Sequence, residues 1–247
     1  MLCVDQVDKS YKTGGMFSTE RRMVLNSISF ECGQGECLAV IGESGSGKST
    51  LGRLILGMEK PDRGTVLIRG KRVENRTARL GAVSAVFQDY TSSIHPFYTV
   101  EQALLEPMKL LNVSRQDAQD KLDLLLEQVG LHVSYRAKYP HELSGGEAQR
   151  VCIARAVATE PDWIVLDEAT GALDGIVQRQ VLELLKSIRK IYGTGLIFIT
   201  HDIQAAAYIS DRVLILRNGR VEEIALVSQL KDVQSDYAKQ LLRMALR

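Results

Sequence analysis

The sequence predicts an α/β fold in which a parallel-sheet core is joined by an antiparallel β region and a helical subdomain. Short, almost wholly apolar runs recur at 163–167, 196–200 and 213–216, and a helical pattern over about 176–191 separates the first two. Strands buried on both faces of a parallel sheet have this continuous apolar character. A longer helical pattern occupies about 91–158 and accounts for the helical subdomain.

The first third of the chain is predicted to consist mainly of strands. Its apolar and β-branched runs lie between turn-forming residues, and they occupy 2–7, 27–32, 37–42, 65–70 and 83–88. The polar, glycine-bearing stretch from Tyr11 to Met23 is predicted to be a loop or the tip of a hairpin. Much later in the chain, Asn218-Gly219 is a two-residue hairpin signal that closes the sheet region.

The clearest helix is predicted to begin at Ser114, because Asp117 follows three residues later in a capping-box-like arrangement. Gly130 marks its end. The apolar residues between them recur at helical spacing and are predicted to face the core; they are Ala118, Leu122, Leu125, Leu126 and Val129. A final helix that docks on the body is predicted from Val233, Tyr237, Leu241 and Met244.

Composition excludes several classes of protein. The chain has 247 residues, 45% apolar and 25% charged, which rules out collagen-like, low-complexity and disulfide-scaffold classes. Its 31 basic and 30 acidic residues leave a net charge of +1, so no global field gathers nucleic acid or anionic lipid. No apolar run approaches the roughly 20 residues that span a bilayer, so a partner would have to supply any membrane span.

The four cysteines are predicted to be reduced thiols in a cytosolic compartment, because they are scattered through a chain that shows no signal peptide. Zinc ligands usually come as closely spaced pairs, and these cysteines lack that spacing, so a zinc site is not expected. Cys32 and Cys37 are expected to face a core from strands. We expect one domain, since no linker separates independent parts. Its segments are a core at 1–90 and 159–230, helices at 91–158 and a C-terminal helix at 231–247.

A phosphate-binding loop is predicted at 42–49, where Gly-Glu-Ser-Gly-Ser-Gly-Lys-Ser fits G-x-x-x-x-G-K-[ST] between an apolar strand and an apolar-periodic helix. Glycines let backbone N–H groups turn inward as an anion nest at a helix N-terminus, where the helix dipole also favours phosphate. Lys48 is predicted to reach the β- and γ-phosphates, and the Ser49 hydroxyl to bind Mg²⁺. The alternative is an ordinary glycine turn that caps a helix.

Two acidic residues end the apolar strand at 163–167. Asp167 is its last residue and Glu168 follows directly, which places both carboxylates at the edge of a parallel sheet where α/β proteins bind ligands. Asp167 is predicted to hold Mg²⁺ through water, and Glu168 to polarise the attacking water as general base. A strand that ends in Asp-Glu is a weak signal alone, but the phosphate loop makes it a strong one.

Two further strand ends bring polar side chains to the same edge. His201 follows the strand at 196–200 and is predicted to donate to the γ-phosphate while it orients water, although such a histidine is more often a simple cap. Gln88 ends the strand at 83–88 and offers an amide for Mg²⁺ or the lytic water. By itself Gln88 signifies almost nothing.

A second anion-binding helix N-terminus is predicted at Leu143-Ser144-Gly145-Gly146-Glu147, before a helix over about 148–158. The chain has only one lysine-bearing loop, so the economical interpretation is that this end completes the site of another copy. Two nucleotides would then lie between two chains. The alternative is a plain helix cap after the turn at Pro140.

These motifs together resemble the ATP-binding subunit of an ABC transporter, and the resemblance covers about Leu2 to Leu242. LSGGE followed by AQRVCIARAVA is its most specific element. The resemblance implies that ATP is bound by Tyr11, which stacks on adenine, and by Gly42, Glu43, Ser44, Gly45, Ser46, Gly47, Lys48, Ser49, Thr50, Gln88, Ser144, Gly145, Gly146 and Asp174. It implies that Lys48, Glu168 and His201 are catalytic and that Ser49, Gln88 and Asp167 hold Mg²⁺.

The resemblance also implies partners and a place in the cell. The groove around Gln88 to Tyr98 receives a coupling helix from a membrane subunit, and ATP closes the ATPase dimer while hydrolysis opens it. The expected complex contains a second, different ATPase subunit, two transmembrane permease subunits and an extracellular substrate-binding protein, with no nucleic acid. The chain is expected to be peripheral, at the cytoplasmic face of the cell membrane.

Within the family, GESGSGKSTLGRLILG, VFQDYTSSIHPFYTV and DYAKQLL resemble importers of dipeptides, oligopeptides, nickel and metal-opine chelates. The chain lacks a long C-terminal extension, which favours the compact nickel or metallophore type, including importers of staphylopine-type chelates. Two residues depart from the family pattern: Glu147 replaces glutamine in the signature, and Gly171 replaces serine in the D-loop at 171–174. Neither touches the metal, the base or the phosphate nest, so we expect hydrolysis to be retained.

Three alternatives remain at this stage. A soluble ABC-type ATPase of DNA repair or translation would carry a long coiled-coil insertion or two cassettes, and neither is present. A small-molecule kinase or GTPase would use the same loop but would need neither LSGGE nor the strand-end histidine. An exporter is also possible, although exporters commonly fuse the membrane segment to this domain.

Overall fold

The structure is a computed structural model that describes residues 1–13, 20–89, 93–171 and 173–245. Two compact units make up the chain: the first unit is Met1–Arg79 with Gly195–Arg247, and the second unit is Leu80–Thr194. Among the described residues, no helix combines the length and the apolar character needed to cross a membrane.

An antiparallel sheet of four strands belongs to the first unit. Its order is β2 (Arg21–Cys32), β1 (Leu2–Lys12), β4 (Arg63–Ile68) and β5 (Lys71–Arg72). The register pairs Leu2 with Cys32 on one side and with Ile68 on the other. This sheet is the antiparallel β region that the sequence predicts.

The predicted loop from Tyr11 to Met23 is wrong at both ends. Strands β1 and β2 continue through it, because Tyr11 pairs with Arg22 and Lys12 with Arg21. The Thr13 amide adds one more hydrogen bond to the Glu20 carbonyl at 2.9 Å. Polar side chains do not prevent a ladder that uses only backbone groups. The tip of the expected loop, residues 14–19, lies outside the described residues.

The first unit also holds the core strands β10 (Arg220–Leu226), β9 (Arg212–Arg217), β3 (Cys37–Ile41) and β8 (Gly195–Ile199), in that order. Strand β3 runs parallel to both β8 and β9, whereas β10 is antiparallel to β9. All five residues of β3 and of β8 are buried, as continuous apolar strands predict.

The Asn218-Gly219 hairpin is confirmed between β9 and β10. Both residues have positive φ, 47° for Asn218 and 73° for Gly219, as a type I′ turn requires. The buried positions of Cys32 and Cys37 are confirmed as well, since neither is exposed to solvent.

The helices of the first unit include α1 (Lys48–Ile55), α7 (Ile203–Ile209) and α8 (Asp236–Ala245). Helix α8 begins later than predicted. Val233 follows a 3₁₀ helix and has extended backbone (φ −57°, ψ 143°). The start is set by Ser235, whose Oγ accepts from the Ala238 amide at 3.4 Å while its own amide donates to Glu223 at 3.0 Å.

The second unit contains a parallel strand pair and four longer helices. The strands are β6 (Val83–Phe87) and β7 (Trp163–Asp167), in the register that pairs Phe87 with Asp167. The helices are α3 (Val100–Leu110), α4 (Arg115–Gln128), α5 (Gly145–Val157) and α6 (Gly175–Tyr192). Short helix α2 (Arg76–Arg79) belongs to the first unit. Together the sheets and helices confirm the predicted α/β class.

Helix α4 confirms the start and the core face that the sequence predicts. The Asp117 amide donates to the Ser114 hydroxyl at 3.1 Å, so Ser114 is the N-cap. Gly130 lies beyond the C-cap with φ 72°, a conformation that glycine adopts at little cost. The predicted stripe is buried throughout: Ala118, Leu122, Leu125, Leu126 and Val129.

Candidate functional site

The loop between β3 and α1 follows a path that only glycine permits at two positions. A Cβ on Gly42 would lie 2.2 Å from the Leu216 carbonyl oxygen. Gly47, the N-cap of α1, has φ 108°, and its Cβ would lie 2.6 Å from a methyl carbon of Leu25. These contacts explain why the motif needs glycines where it has them.

Lys48 is held inside this loop rather than in solvent. Its side chain is almost buried, and the Nζ donates to the carbonyls of Gly42 at 2.8 Å and Glu43 at 3.0 Å. The ammonium group therefore stays at the N-terminal end of α1, where the first backbone N–H groups of the helix also favour an anion.

Ser46 supplies an independent sign that the loop accommodates an anion with acceptor oxygens. The residue is 5% exposed, and within the described part of the chain its Oγ has no hydrogen-bond partner. A buried hydroxyl without a partner is costly, and a phosphate oxygen would remove that cost. Ser49, one residue into α1 and half-buried, adds the kind of hard oxygen that Mg²⁺ prefers.

The β9–β10 hairpin supports the loop from its other side, which the sequence motifs did not indicate. The Gly219 amide donates to the Ser46 carbonyl at 3.1 Å. A Cβ on Gly219 would lie 2.2 Å from the Val24 carbonyl oxygen, so this contact also needs glycine. The hairpin signal was recognised in the sequence, but its role beside the phosphate loop depends on the fold.

His201 reaches the same edge of the first unit's sheet as the loop. Strands β3 and β8 are parallel with Val40 opposite Ile199, and the Thr200 amide donates to the Val40 carbonyl at 3.2 Å. The backbone therefore leaves both strands at the same end of the sheet, where the phosphate loop follows β3 and His201 follows β8. Asp202 caps α7 by accepting a hydrogen bond from the Ala205 amide at 3.0 Å. His201, the residue before this cap, is exposed.

Gln88 and the two acids are brought together in the second unit. Because Phe87 pairs with Asp167, the residues after β6 and β7 leave the sheet side by side. Gln88 is exposed, whereas Asp167 and Glu168 are half-buried. Glu168 has φ 54°, a left-handed backbone conformation that is strained for a residue other than glycine. Such strain is often found at functional positions.

The signature segment forms a capped helix N-terminus, as predicted, but α5 begins at Gly145 rather than near 148. The Glu147 amide donates to the exposed Ser144 hydroxyl at 3.4 Å, and the Ser144 amide donates to the Glu147 carboxylate at 2.7 Å. This reciprocal pair is a capping box, which lengthens the helix by satisfying two amides of its first turn. A Cβ on Gly146 would lie 2.9 Å from Val177.

Glu147, the departure from the family pattern, carries a charge that its neighbours stabilise. The Tyr135 hydroxyl donates to the second carboxylate oxygen, and Lys138 stands 3.7 Å above the Tyr135 ring centroid. The hydrogen bond from Tyr135, followed by those from Ser144, lowers the pKa of Glu147 to about 2. Tyr135 was not indicated by any sequence motif.

Asp174 is the N-cap of α6. Its Oδ1 accepts from the amides of Ile176 at 3.1 Å and Val177 at 3.0 Å. The D-loop expectation at 171–174 is only partly described, since Ala172 lies outside the described residues.

A groove of about 360 Å³ opens in the second unit near the segment expected to meet a membrane subunit. It is lined in part by Phe87, Pro107 and Cys152. Arg155 borders it and donates to the Ser93 carbonyl at 3.2 Å and to Glu106 at 2.6 Å. Part of the expected segment, residues 90–92, lies outside the described residues.

The predicted site residues thus fall into two groups. Those of the first unit are Tyr11, Gly42, Glu43, Ser44, Gly45, Ser46, Gly47, Lys48, Ser49, Thr50 and His201. Those of the second unit are Gln88, Ser144, Gly145, Gly146, Asp167, Glu168 and Asp174. The first group offers a cation, backbone amides at a helix N-terminus and hydroxyls for a phosphate chain, and the second offers carboxylates and an amide for a metal and for water.

Comparison with known sequences identifies close relatives. The sequence model of the family described as "ABC transporter" matches residues 25–171. The chain is 44% identical over 247 residues to "Metal-staphylopine import system ATP-binding protein CntF" of Staphylococcus aureus, covering 100% of this chain and 99% of that protein. It is 38% identical over 254 residues to "Nickel import ATP-binding protein NikE" of Rhodospirillum rubrum, covering 100% and 91%.

Comparison with solved structures agrees. The chain superposes on the ATP-binding cassette MJ0796 in its dimeric post-hydrolysis state, bound to ADP and Pi, with a TM-score of 0.81 and 29% sequence identity. The match covers 92% of this chain and 99% of the cassette. A second dimeric structure of the same cassette, described as a bacterial ABC transporter cassette, gives the same TM-score at 30% identity.

Proposed function

The chain belongs to the ABC transporter family, and we propose that it hydrolyses ATP to power the import of a nickel, metal-chelate or peptide-like substrate. The observation that carries this proposal is the glycine-built loop at the N-terminus of α1, where Lys48 lies beside the Ser46 hydroxyl, which has no partner in the part of the chain that the structure describes. Relatives that cover the whole chain are named as ATP-binding proteins of metal-staphylopine and nickel import systems. Those names favour an importer over an exporter or a soluble repair ATPase.

Each predicted residue has a distinct role in this proposal. Lys48 and the loop amides bind the phosphates, and Tyr11 stacks on the adenine. Glu168 accepts a proton from the attacking water, and His201 donates to the γ-phosphate and orients that water. In-line attack needs little more from the protein than this positioning and charge stabilisation.

Ser49, Gln88 and Asp167 would hold Mg²⁺, since hydroxyl, amide and carboxylate oxygens suit this ion. When bound, Mg²⁺ supplies positive charge to the phosphate oxygens.

The signature segment is proposed to serve a second ATPase subunit. Ser144, Gly145 and Gly146 contact the nucleotide held by that subunit, and Asp174 lies in the segment that faces it. Two permease subunits and an extracellular substrate-binding protein complete the complex, with the groove beside Arg155 as the seat of a coupling helix. The chain then acts from the cytoplasmic face of the membrane as a peripheral subunit.

The direct test is nucleotide binding to the purified chain. Replacing Lys48 with Ala should weaken ATP affinity by at least about tenfold, because a nearly buried cation that meets phosphate is worth more than about 1.4 kcal/mol. Calorimetric titration measures this affinity. The Lys231→Ala variant is the control, since this lysine is exposed in the same unit. Equal affinity in the Lys48 variant would contradict the phosphate site.

The cargo requires a second experiment. The chain is copurified with its membrane and ATPase partners, reconstituted in liposomes, and supplied with the binding protein loaded with nickel, a metal chelate or a peptide. The cargo that stimulates ATP hydrolysis and accumulates inside identifies the substrate class. Stimulation by none of the three would reject import of these substrates.

A further inference from the structure

Glu59, in the turn after α1, joins side chains from two parts of the first unit. Its Oε2 accepts a hydrogen bond from the Tyr11 hydroxyl at 2.6 Å and lies 3.2 Å from the Lys9 ammonium. Its Oε1 accepts from Arg53 at 3.2 Å. Lys9 and Tyr11 belong to β1, whereas Arg53 belongs to α1, so one carboxylate connects the strand with the phosphate-loop helix.

The backbone holds Glu59 firmly against the end of α1. The Met58 amide donates to the Arg53 carbonyl at 2.9 Å, and the Glu59 amide reaches the same carbonyl at 3.4 Å. Gly57 ends the helix with φ 59°, and its Cβ would lie 2.6 Å from the Val73 carbonyl oxygen, so a larger residue would not fit. Glu59 is therefore placed by the same helix whose first turn carries Lys48.

The electrostatics of this cluster keep Glu59 charged and Tyr11 protonated. Burial alone would raise the pKa of Glu59, but hydrogen bonds from Tyr11, Lys9 and Arg53 outweigh it and lower the pKa. Burial, and then the hydrogen bond to Glu59, raise the pKa of the Tyr11 phenol. A carboxylate that accepts from a phenol is a strong, directional contact.

Tyr11 has a second link to the same helix. A hydrogen bond from the Thr50 hydroxyl lowers the pKa of Tyr11, opposing the effects of burial and Glu59. Thr50 is nearly buried and belongs to α1, two residues after Lys48. The Tyr11 hydroxyl is thus influenced by Thr50 near the start of α1 and is hydrogen-bonded to Glu59 beyond the end of that helix.

We propose that Glu59 is a positioning residue for the nucleotide: through the Tyr11 hydroxyl, it sets the ring at a fixed distance from the phosphate loop. This inference rests on the proposed stacking of Tyr11 on adenine. A ring held in advance loses less conformational freedom when the base binds, so the adenine contributes more to affinity. Glu59 itself need not touch the nucleotide.

The test separates the base from the phosphates by titrating the intact chain with ATP and, separately, with inorganic triphosphate at equal Mg²⁺. Glu59→Ala and Tyr11→Phe should each weaken ATP about five- to tenfold, the loss expected for one hydrogen bond to a charged group, and leave triphosphate affinity within about twofold. Glu59→Gln should retain part of the ATP affinity, because its amide oxygen still accepts from Tyr11.

Glu36→Ala is the matched control. Glu36 lies in the same unit, its side chain is 20% exposed against 22% for Glu59, and it too forms an ion pair, with Arg212 at 2.9 Å. ATP affinity should not change in this variant. Should Glu59→Ala fail to fold, Glu59→Gln decides, because it changes only the carboxylate that accepts from Tyr11, and ATP affinity equal to the wild type in that variant would overturn the role of Glu59.

Two results would overturn the role of Glu59: ATP affinity equal to the wild type in Glu59→Ala, or equal losses for ATP and triphosphate. Tyr11→Ala keeps this failure distinct from failure of the stacking assignment. If Tyr11→Ala weakens ATP selectively while Glu59→Ala does not, only Glu59 is refuted. If Tyr11→Ala leaves the preference for ATP over triphosphate unchanged, the stacking assignment itself is wrong.

Discussion

Single residues of the proposed site differ from their surroundings in backbone strain and in hydrogen-bond partners. Glu168 has a left-handed backbone directly after an apolar strand, and Ser46 keeps a buried hydroxyl without a partner among the described residues. Lys48 folds back onto the carbonyls of its own loop. The left-handed backbone of Glu168 and the buried hydroxyl of Ser46 each have a cost in stability.

Replacing Glu168 with Gln should leave ATP binding intact and slow steady-state hydrolysis by about 10²- to 10⁴-fold, the usual contribution of a general base. Binding survives because the amide keeps the size and the backbone of the glutamate. Phosphate release by the assembled complex measures the turnover, and calorimetry measures the binding.

Glu160→Gln is the control for this change. Glu160 lies in the same unit and also has a left-handed backbone, with φ 50°, but its carboxylate pairs on the surface with Lys121. Hydrolysis should be unaffected there. Normal turnover in the Glu168 variant would remove Glu168 as the base.

At the scale of elements, the signature segment and Asp174 both stand at helix N-termini that are capped by short polar side chains. Helix α5 begins with the Ser144–Glu147 capping box, and α6 begins at Asp174. Because Glu147 is charged at the N-terminus of α5, it interacts favourably with the helix dipole. The glutamine of the common signature could form the same box but would carry no charge.

This charge predicts a pH dependence of stability. The pKa of Glu147 is about 2 in the fold, against an ordinary value of 4.5, so ionised Glu147 contributes its full stability above about pH 4.5. That contribution is lost as the pH falls from about 4.5 to about 2. Glu147→Gln removes the titration, so near neutral pH it should lower the free energy of unfolding by about 0.3–1 kcal/mol.

Urea unfolding of the wild type and of Glu147→Gln, followed from about pH 7 to about pH 3, measures the difference between them. The difference should shrink as the pH drops through this range. Tyr135→Phe is a second variant, which should raise the pKa of Glu147 and shift the loss to higher pH. If the difference stays constant with pH, the contacts of Glu147 do not lower its pKa, and the prediction is wrong.

At the scale of the whole molecule, the family membership expected from the motifs is confirmed by a family model over 25–171 and by relatives that cover the whole chain. The cassette it resembles was solved as a dimer. The chain carries one lysine-bearing loop and a separate anion-ready helix end at Ser144. In a dimer, the phosphate loop of each chain would face the signature segment of the other chain.

Replacing Ser144 with Arg should spare nucleotide binding by the isolated chain and block ATP-dependent association with its partner ATPase, because a long cation would fill the position of the partner's phosphate. Light scattering after size-exclusion chromatography measures the association. Ser114→Arg is matched to it, since Ser114 is likewise an exposed serine N-cap, at α4, and either change costs about 1 kcal/mol of cap energy. Normal dimerisation of the Ser144 variant would argue against a shared site.

The sequence by itself determined the α/β class, the strand-end positions of Gln88, Asp167, Glu168 and His201, and the phosphate loop. Those features depend on spacing and on local backbone preferences, which neighbouring residues encode. The extent of the β1–β2 hairpin and the start of α8 were predicted wrongly from the sequence. Backbone pairing decides the end of the hairpin, and the distant carboxylate of Glu223 contributes to the start of α8.

Only the tertiary structure revealed the contacts that hold these motifs in place. Tyr11 is 48 residues from Glu59, and Ser46 meets Gly219 across the unit. Tyr135 reaches Glu147 from a different helical turn. A contact between residues far apart in the chain leaves no periodic pattern, since each partner is an ordinary polar residue until the fold brings the two within hydrogen-bond distance.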